Sequence, residues 1–105
     1  MQDNLHMKVE SRQELIQTLS DVKPKLESDF GVLQIGIFGS FAKDKINSNS
    51  DVDIFVDLKN PNFDSLAGLQ IFLENLLERN VDLIRKRNLI KLSFLKRIQK
   101  DLINV

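Results

Sequence analysis

The chain has 105 residues, 42% hydrophobic and 29% charged, with 15 basic against 15 acidic side chains and no cysteine. That suffices for one domain with a single core, so one domain over residues 1–105 is expected. It excludes disulfides, thiolate zinc sites and cysteine nucleophiles, and fits a reducing, cytoplasmic setting. No apolar run approaches the ~18 residues of a membrane span, and "MQDNLHMKVE" lacks the apolar core of a signal peptide, so no membrane association is expected.

Residues 1–10 carry no periodic pattern and read as a candidate disordered start; His6 is assigned no role. "SRQE" at 11–14 fits a capping box, with Ser11 capping a helix and Glu14 reaching back. Leu15, Ile16, Leu19 and Val22 follow at helical spacing. Pro24 is expected to kink or divide that helix and Gly31 to end it. "VLQIGIF" (32–38) is short, β-branched and closed by Gly39, as a buried strand would be. A short helix beginning near Ser40 and the polar loop "KDKINSNS" come next.

"DVDIFVDL" (51–58) alternates strictly and is the clearest strand. Alternation puts Asp51, Asp53, Phe55 and Asp57 on one face and Val52, Ile54, Val56 and Leu58 on the other. "KNPN" turns the chain. Leu66, Leu69, Leu73, Leu76 and Leu77 then mark an amphipathic helix ending near Asn80. "VDLIRK" (81–86) reads as a third strand, 88–100 as a last helix with Leu92, Leu95 and Ile98 on one side, and "LINV" as a short terminal strand. Strands alternating with helices predict an α/β (α+β) fold, with a mainly parallel or mixed sheet of three to five strands flanked by helices.

Asp51 and Asp53 lie about 6–7 Å apart at Cα on one strand face. Two carboxylates that close repel unless a cation sits between them. Hard oxygen ligands without histidine or cysteine suit Mg²⁺ or Mn²⁺. Gly39 lets a phosphate approach the backbone, the amides of a following helix point toward the anion, and Ser40 adds a donor. A phosphate cradle beside a divalent-metal carboxylate pair is apparatus for phosphoryl or nucleotidyl transfer. Asp82 interrupts an apolar strand; if that strand neighbours 51–58, Asp82 faces the pair and can take a proton from a hydroxyl. Each piece also has a plainer reading: an exposed strand start, a tight turn, a surface residue on an edge strand.

"GSFAKDKINSNSDVDIFVD" resembles the G-S-x(10)-D-x-D signature of the DNA polymerase β-like nucleotidyltransferase superfamily. The layout "FGVLQIGIFGS…SDVDIFVDL…VDLIRK" is similar to its minimal nucleotidyltransferases over nearly the whole chain. The resemblance implies a nucleoside triphosphate substrate such as ATP and two Mg²⁺ ions. It assigns Asp51 and Asp53 as the metal-binding pair, Asp82 as the third carboxylate, and Gly39-Ser40 as the triphosphate-binding turn. The family usually places an arginine and a glycine three and four residues after the serine; Lys43 and Asp44 stand there instead. Lysine keeps the charge without the bidentate fork, and Asp44 adds negative charge near the expected path of the triphosphate.

So small a chain leaves little surface for an acceptor, which is expected to come with another subunit in a homo- or hetero-oligomer. The resemblance implies an antitoxin role beside a helical HEPN toxin, which such proteins modify. The alternative is an antitoxin or regulator acting by occupancy, with a weak metal site. Residues 85–100 hold seven basic residues and no acid, a pattern suited to a solvated helix face or a polyanionic or acidic partner. Zero net charge and the lack of tyrosine and tryptophan argue against nucleic acid.

Overall fold

A computed structural model describes residues 8–86 and 92–105, without the side chains of residues 92–94 and 97. The expectations for residues 1–7, and for the start of the last helix at 88–91, fall outside the described residues. The first helix, α1 (Arg12–Phe30), has Ser11 as its cap, with the hydroxyl accepting from Glu14 N–H. Glu14 reaches back one residue further than a capping box requires, to Glu10 N–H at 2.8 Å. α1 runs through Pro24 undivided and ends on Gly31 at φ +67°, a conformation that costs glycine little.

β1 (Val32–Phe38) leads into the single turn α2 (Gly39–Ala42), and β2 (Val52–Leu58), α3 (Phe63–Leu77) and β3 (Val81–Arg85) follow. α4 (Leu92–Asp101) and β4 (Ile103–Asn104) complete the described chain. The sheet has the order β3-β2-β1-β4. β1 is antiparallel to both β2 and β4, while β2 and β3 are parallel. The sheet is therefore mixed, and α3 supplies the crossover that a parallel pair needs.

One sheet face carries the core. Val52, Ile54, Val56 and Leu58 from β2 and Ile35 and Ile37 from β1 pack with Leu15, Leu19 and Leu26 of α1 and Leu69, Leu73 and Leu77 of α3. Leu92, Leu95 and Ile98 were expected to share one side of the last helix. Ile98 is buried and Leu95 half-buried, while Leu92's side chain lies outside the described set. Phe55 and Ile98 are buried yet stand apart from the main cluster. Phe55 shares the Asp53 face by alternation, and Ile98 shares a cleft with Asp53, so α4 covers part of the face that the acids occupy. The start of the described chain is also fixed, against the expectation of disorder through residue 10. Val9 is 3% exposed and its N–H donates to Leu77 C=O at 3.1 Å.

The start of β3 is held from α3. Glu74 Oε2 accepts from Val81 N–H at 3.0 Å and Gln70 Nε2 donates to Val81 C=O at 2.8 Å. Together they satisfy backbone groups that the end of an edge strand would otherwise leave open. Glu74→Ala is expected to cost about 1–2 kcal/mol by leaving the Val81 N–H without its charged partner. Urea denaturation checks this, and an unchanged midpoint would show that water replaces the carboxylate.

Candidate active site

Three strands bring the site together by register. Phe38 pairs with Asp53 across β1 and β2, and Asp53 pairs with Asp82 across β2 and β3. Parallel partners in register project from the same face, so Asp53 and Asp82 stand side by side at the strand spacing of about 4.8 Å. Asp51 precedes β2 by one residue, beyond the first paired position, Val52.

Gly39 fits beneath this group. Its φ is +71°, and a Cβ there would stand 3.0 Å from Asp53 Cγ and closer still to Oδ2. Both the backbone conformation and the space therefore require glycine. α2 follows with no side chain capping its first turn, so its leading amides keep donors for an anion. Ser40 is half-buried on that turn.

The Asp53 carboxyl is pushed up from 3.8 to about 6. Burial is the largest cause, followed by the charges of Asp82 and Asp51 and a hydrogen bond with Asp82 that favours the protonated form. The acids thus crowd one another in the folded chain, the condition that a cation relieves. Among the described residues no three acid, histidine or cysteine side chains stand, as they lie, close enough together to hold a metal ion. Asp53 and Asp82 make a crowded pair, with Asp51 close enough to be felt. An all-carboxylate donor set of this kind fits Mg²⁺ or Mn²⁺.

A cleft of about 380 Å³ opens beside the pair, walled by Gly39, Lys43, Asp53, Ile98, Lys100 and Asp101. Asp51 borders a separate hollow on its other side, with Ser50 and Asn80. Lys43 Nζ lies 3.4 Å from Asp101 Oδ2, so the lysine of the altered motif is engaged across the cleft by α4. The sequence reading gave no site role to Lys100, part of its basic run and last helix, or to Asp101 just beyond them. Asp57, four residues beyond Asp53 near the other end of β2, meets Lys86 at 4.0 Å.

Asp44 has a partner that the sequence did not suggest. Its carboxylate accepts from Arg12 N–H, the first amide of α1, at 3.1 Å, and Arg12 Nη1 donates to Ala42 C=O at 3.0 Å. The charge thus caps the start of α1. Its φ is +58°, the region glycine favours.

A glycine-serine turn facing in-register carboxylates on a mixed sheet defines a nucleotidyltransferase. The chain matches the family model described as nucleotidyltransferase domain over residues 19–105 and belongs to that family. Among curated relatives it is 35% identical over 94 residues to the protein adenylyltransferase MntA of Thermococcus cleftensis, covering 89% of this chain and 94% of that one. It is 36% identical over 93 residues to a candidate protein adenylyltransferase of Methanocaldococcus jannaschii, covering 88% and 95%. A solved structure of a candidate minimal nucleotidyltransferase superposes with a TM-score of 0.76 at 23% identity, over 97% of this chain and all of the other. Two toxin–antitoxin complexes share the fold. One contains AMP-PNP (TM-score 0.63, 22% identity, 89% and 70% covered). The other pairs a tri-AMPylated Shewanella oneidensis HEPN toxin with its MNT antitoxin (TM-score 0.55, 20% identity, 89% and 66% covered).

Two outcomes test the geometry. A carboxyl whose folded pKa of about 6 exceeds its ordinary 3.8 binds its proton more tightly in the folded state. Folding stability therefore falls as pH rises from about 4 through about 6 and stays lower above. In metal-free buffer at pH 7–8, Asp53→Asn is expected to gain about 1 kcal/mol, allowing for solvent screening of a half-exposed group. The gain should vanish below about pH 4; thermal melts across that range decide it. At position 44, alanine loses the cap and keeps the left-handed backbone, for a cost of about 1–2 kcal/mol, whereas glycine offsets the lost cap and stays near neutral. Equal melting temperatures for Asp44→Ala and Asp44→Gly would contradict this account.

Proposed function

We propose that the chain transfers AMP from ATP to a hydroxyl of a protein partner, a HEPN-type toxin, and so acts as an enzymatic antitoxin. The observation that carries this reading is the register Phe38–Asp53–Asp82, which sets the phosphate turn and two of the three acids on adjacent strands. The name of the MntA relative and the fold shared with toxin–antitoxin complexes support the substrate and the partner.

Asp51, Asp53 and Asp82 would hold two Mg²⁺ ions, which when bound supply charge stabilisation at the transferring phosphoryl group. Gly39 leaves its Cα face open for a phosphate oxygen, and the uncapped amides of α2 and the Ser40 hydroxyl donate to the terminal phosphates. Lys43 and Lys100 contribute positive charge to the cleft wall. Asp82, the more exposed of the in-register pair, takes the proton of the acceptor hydroxyl. The acceptor oxygen bonds to the α-phosphorus, the bond from that phosphorus to the β-phosphate bridging oxygen breaks, and pyrophosphate leaves.

A second reading has one observation in its favour. Asp101 holds Lys43 at 3.4 Å and brings an acid into the cleft, which suits a protein that neutralises its partner by occupancy. Asp82→Asn separates the two. The change is nearly isosteric and should spare the fold and the partner complex, while transfer falls by about 10²–10⁴-fold for loss of acid–base work alone. Mass spectrometry of the co-purified partner after incubation with MgATP reads the result. A parent protein that adds no nucleotide mass yet neutralises its partner would sink the transfer reading.

A further inference from the structure

Arg79 lies in the three-residue connection between α3 and β3 and is 7% exposed. Its Nε donates to Val9 C=O at 2.6 Å, and its Nη1 donates to Asn47 C=O at 3.0 Å and Ser50 C=O at 2.9 Å. Its Cζ stands 5.0 Å from the centroid of the Phe41 ring. Among the described residues it forms no ion pair. A buried guanidinium is costly unless its donors are matched, and here backbone carbonyls take three hydrogen bonds from Nε and Nη1.

Two of those carbonyls, of Asn47 and Ser50, bound one tight turn. Ser50 N–H donates to Asn47 C=O at 3.2 Å, Asn47 N–H to Ser50 Oγ at 2.9 Å, and Asn49 N–H to Asn47 Oδ1 at 2.8 Å. Arg79 Nη1 grips both ends of that turn, and the next residue is Asp51. Asp51 lies outside the strand ladder, which begins at Val52, so it is held between that turn and the first ladder residue. The same guanidinium faces Phe41, fully buried on α2 beside Ser40. Its own backbone leads into Asn80, whose C=O accepts from Val52 N–H at 2.9 Å, and on to Asp82.

We infer that Arg79 is a positioning residue: its guanidinium ties the turn that carries Asp51 to Phe41 of α2. It touches no reacting atom and acts through Asp51 and α2. A lysine ammonium has one nitrogen and cannot hold the two turn carbonyls and, from a second nitrogen, Val9 C=O while facing the Phe41 ring, so lysine should not replace the guanidinium. This inference rests on the transfer reading for its catalytic consequence, but not for its structural one.

The test uses the full chain with its partner and compares the parent with Arg79→Lys and Arg79→Ala. A misplaced carboxylate should lower kcat by about 10²-fold with little change in the KM for MgATP. Millimolar methylguanidinium should restore rate to Arg79→Ala, while methylammonium should not. Amide exchange gives a readout independent of catalysis: the Ser50 and Val52 amides of Arg79→Lys should exchange about tenfold faster, with α1 and β1 unchanged. Parental kcat and parental exchange in Arg79→Lys would overturn the inference, as would a loss of rate that tracks global stability without rescue. A parent that transfers no nucleotide defeats the transfer reading, and the exchange at Ser50 and Val52 then decides the positioning by itself.

Discussion

The carboxylate of Asp53 lies against the Cα of Gly39, and the arrangement of the site follows from that contact. For an acid to stand there, β1 and β2 must pair so that Phe38 meets Asp53, and the residue after Phe38 must lack a Cβ and accept a positive φ. The turn into α2 is then fixed in place, with its leading amides uncapped. A phosphate turn and an acid strand are often described as two motifs; in this fold each limits the shape of the other.

The contact also explains why the acid is uncomfortable. Desolvation by the turn, with Asp82 one strand away, raises the Asp53 pKa. The fold tolerates like charges that a stability optimum would remove, which is common where chemistry needs a poised group. The compensation lies elsewhere: an apolar layer between the sheet and α1 and α3, and side chains of α3 and of the α3–β3 connection that hold β3 and the 47–50 turn.

Much of this was legible in the sequence because local rules and the final fold agree. Ser11, Gly31 and the alternation of 51–58 placed α1 and β2 closely, and the spacing of Gly39-Ser40 from Asp51 and Asp53 located the turn and two acids. What failed depended on neighbours distant in sequence. That Phe55, rightly read onto the acid face, is buried there could not be seen from β2 alone. Asp44 reads as a stray charge, yet it meets an amide 32 residues earlier. Arg79 sits in "LERNVD" with no mark that distinguishes it from a surface arginine; only the packing of the 47–50 turn and Phe41 around it reveals its place. Strand order was open too, so Asp82 could be placed beside Asp53 only conditionally.

In-register pairing of β2 and β3 has a bearing on how such chains can change in length. Side chains alternate faces along a strand, so one residue gained or lost between Leu77 and Val81 would turn Asp82 toward the core and Val81 or Leu83 toward the cleft. The three-residue connection, with its left-handed Glu78 at φ +54°, is therefore a ruler. The Lys59–Asn62 turn lies at the opposite end of the sheet and sets no acid. Insertions and deletions should accumulate there during divergence, while the span between α3 and β3 keeps its length even where its residues drift.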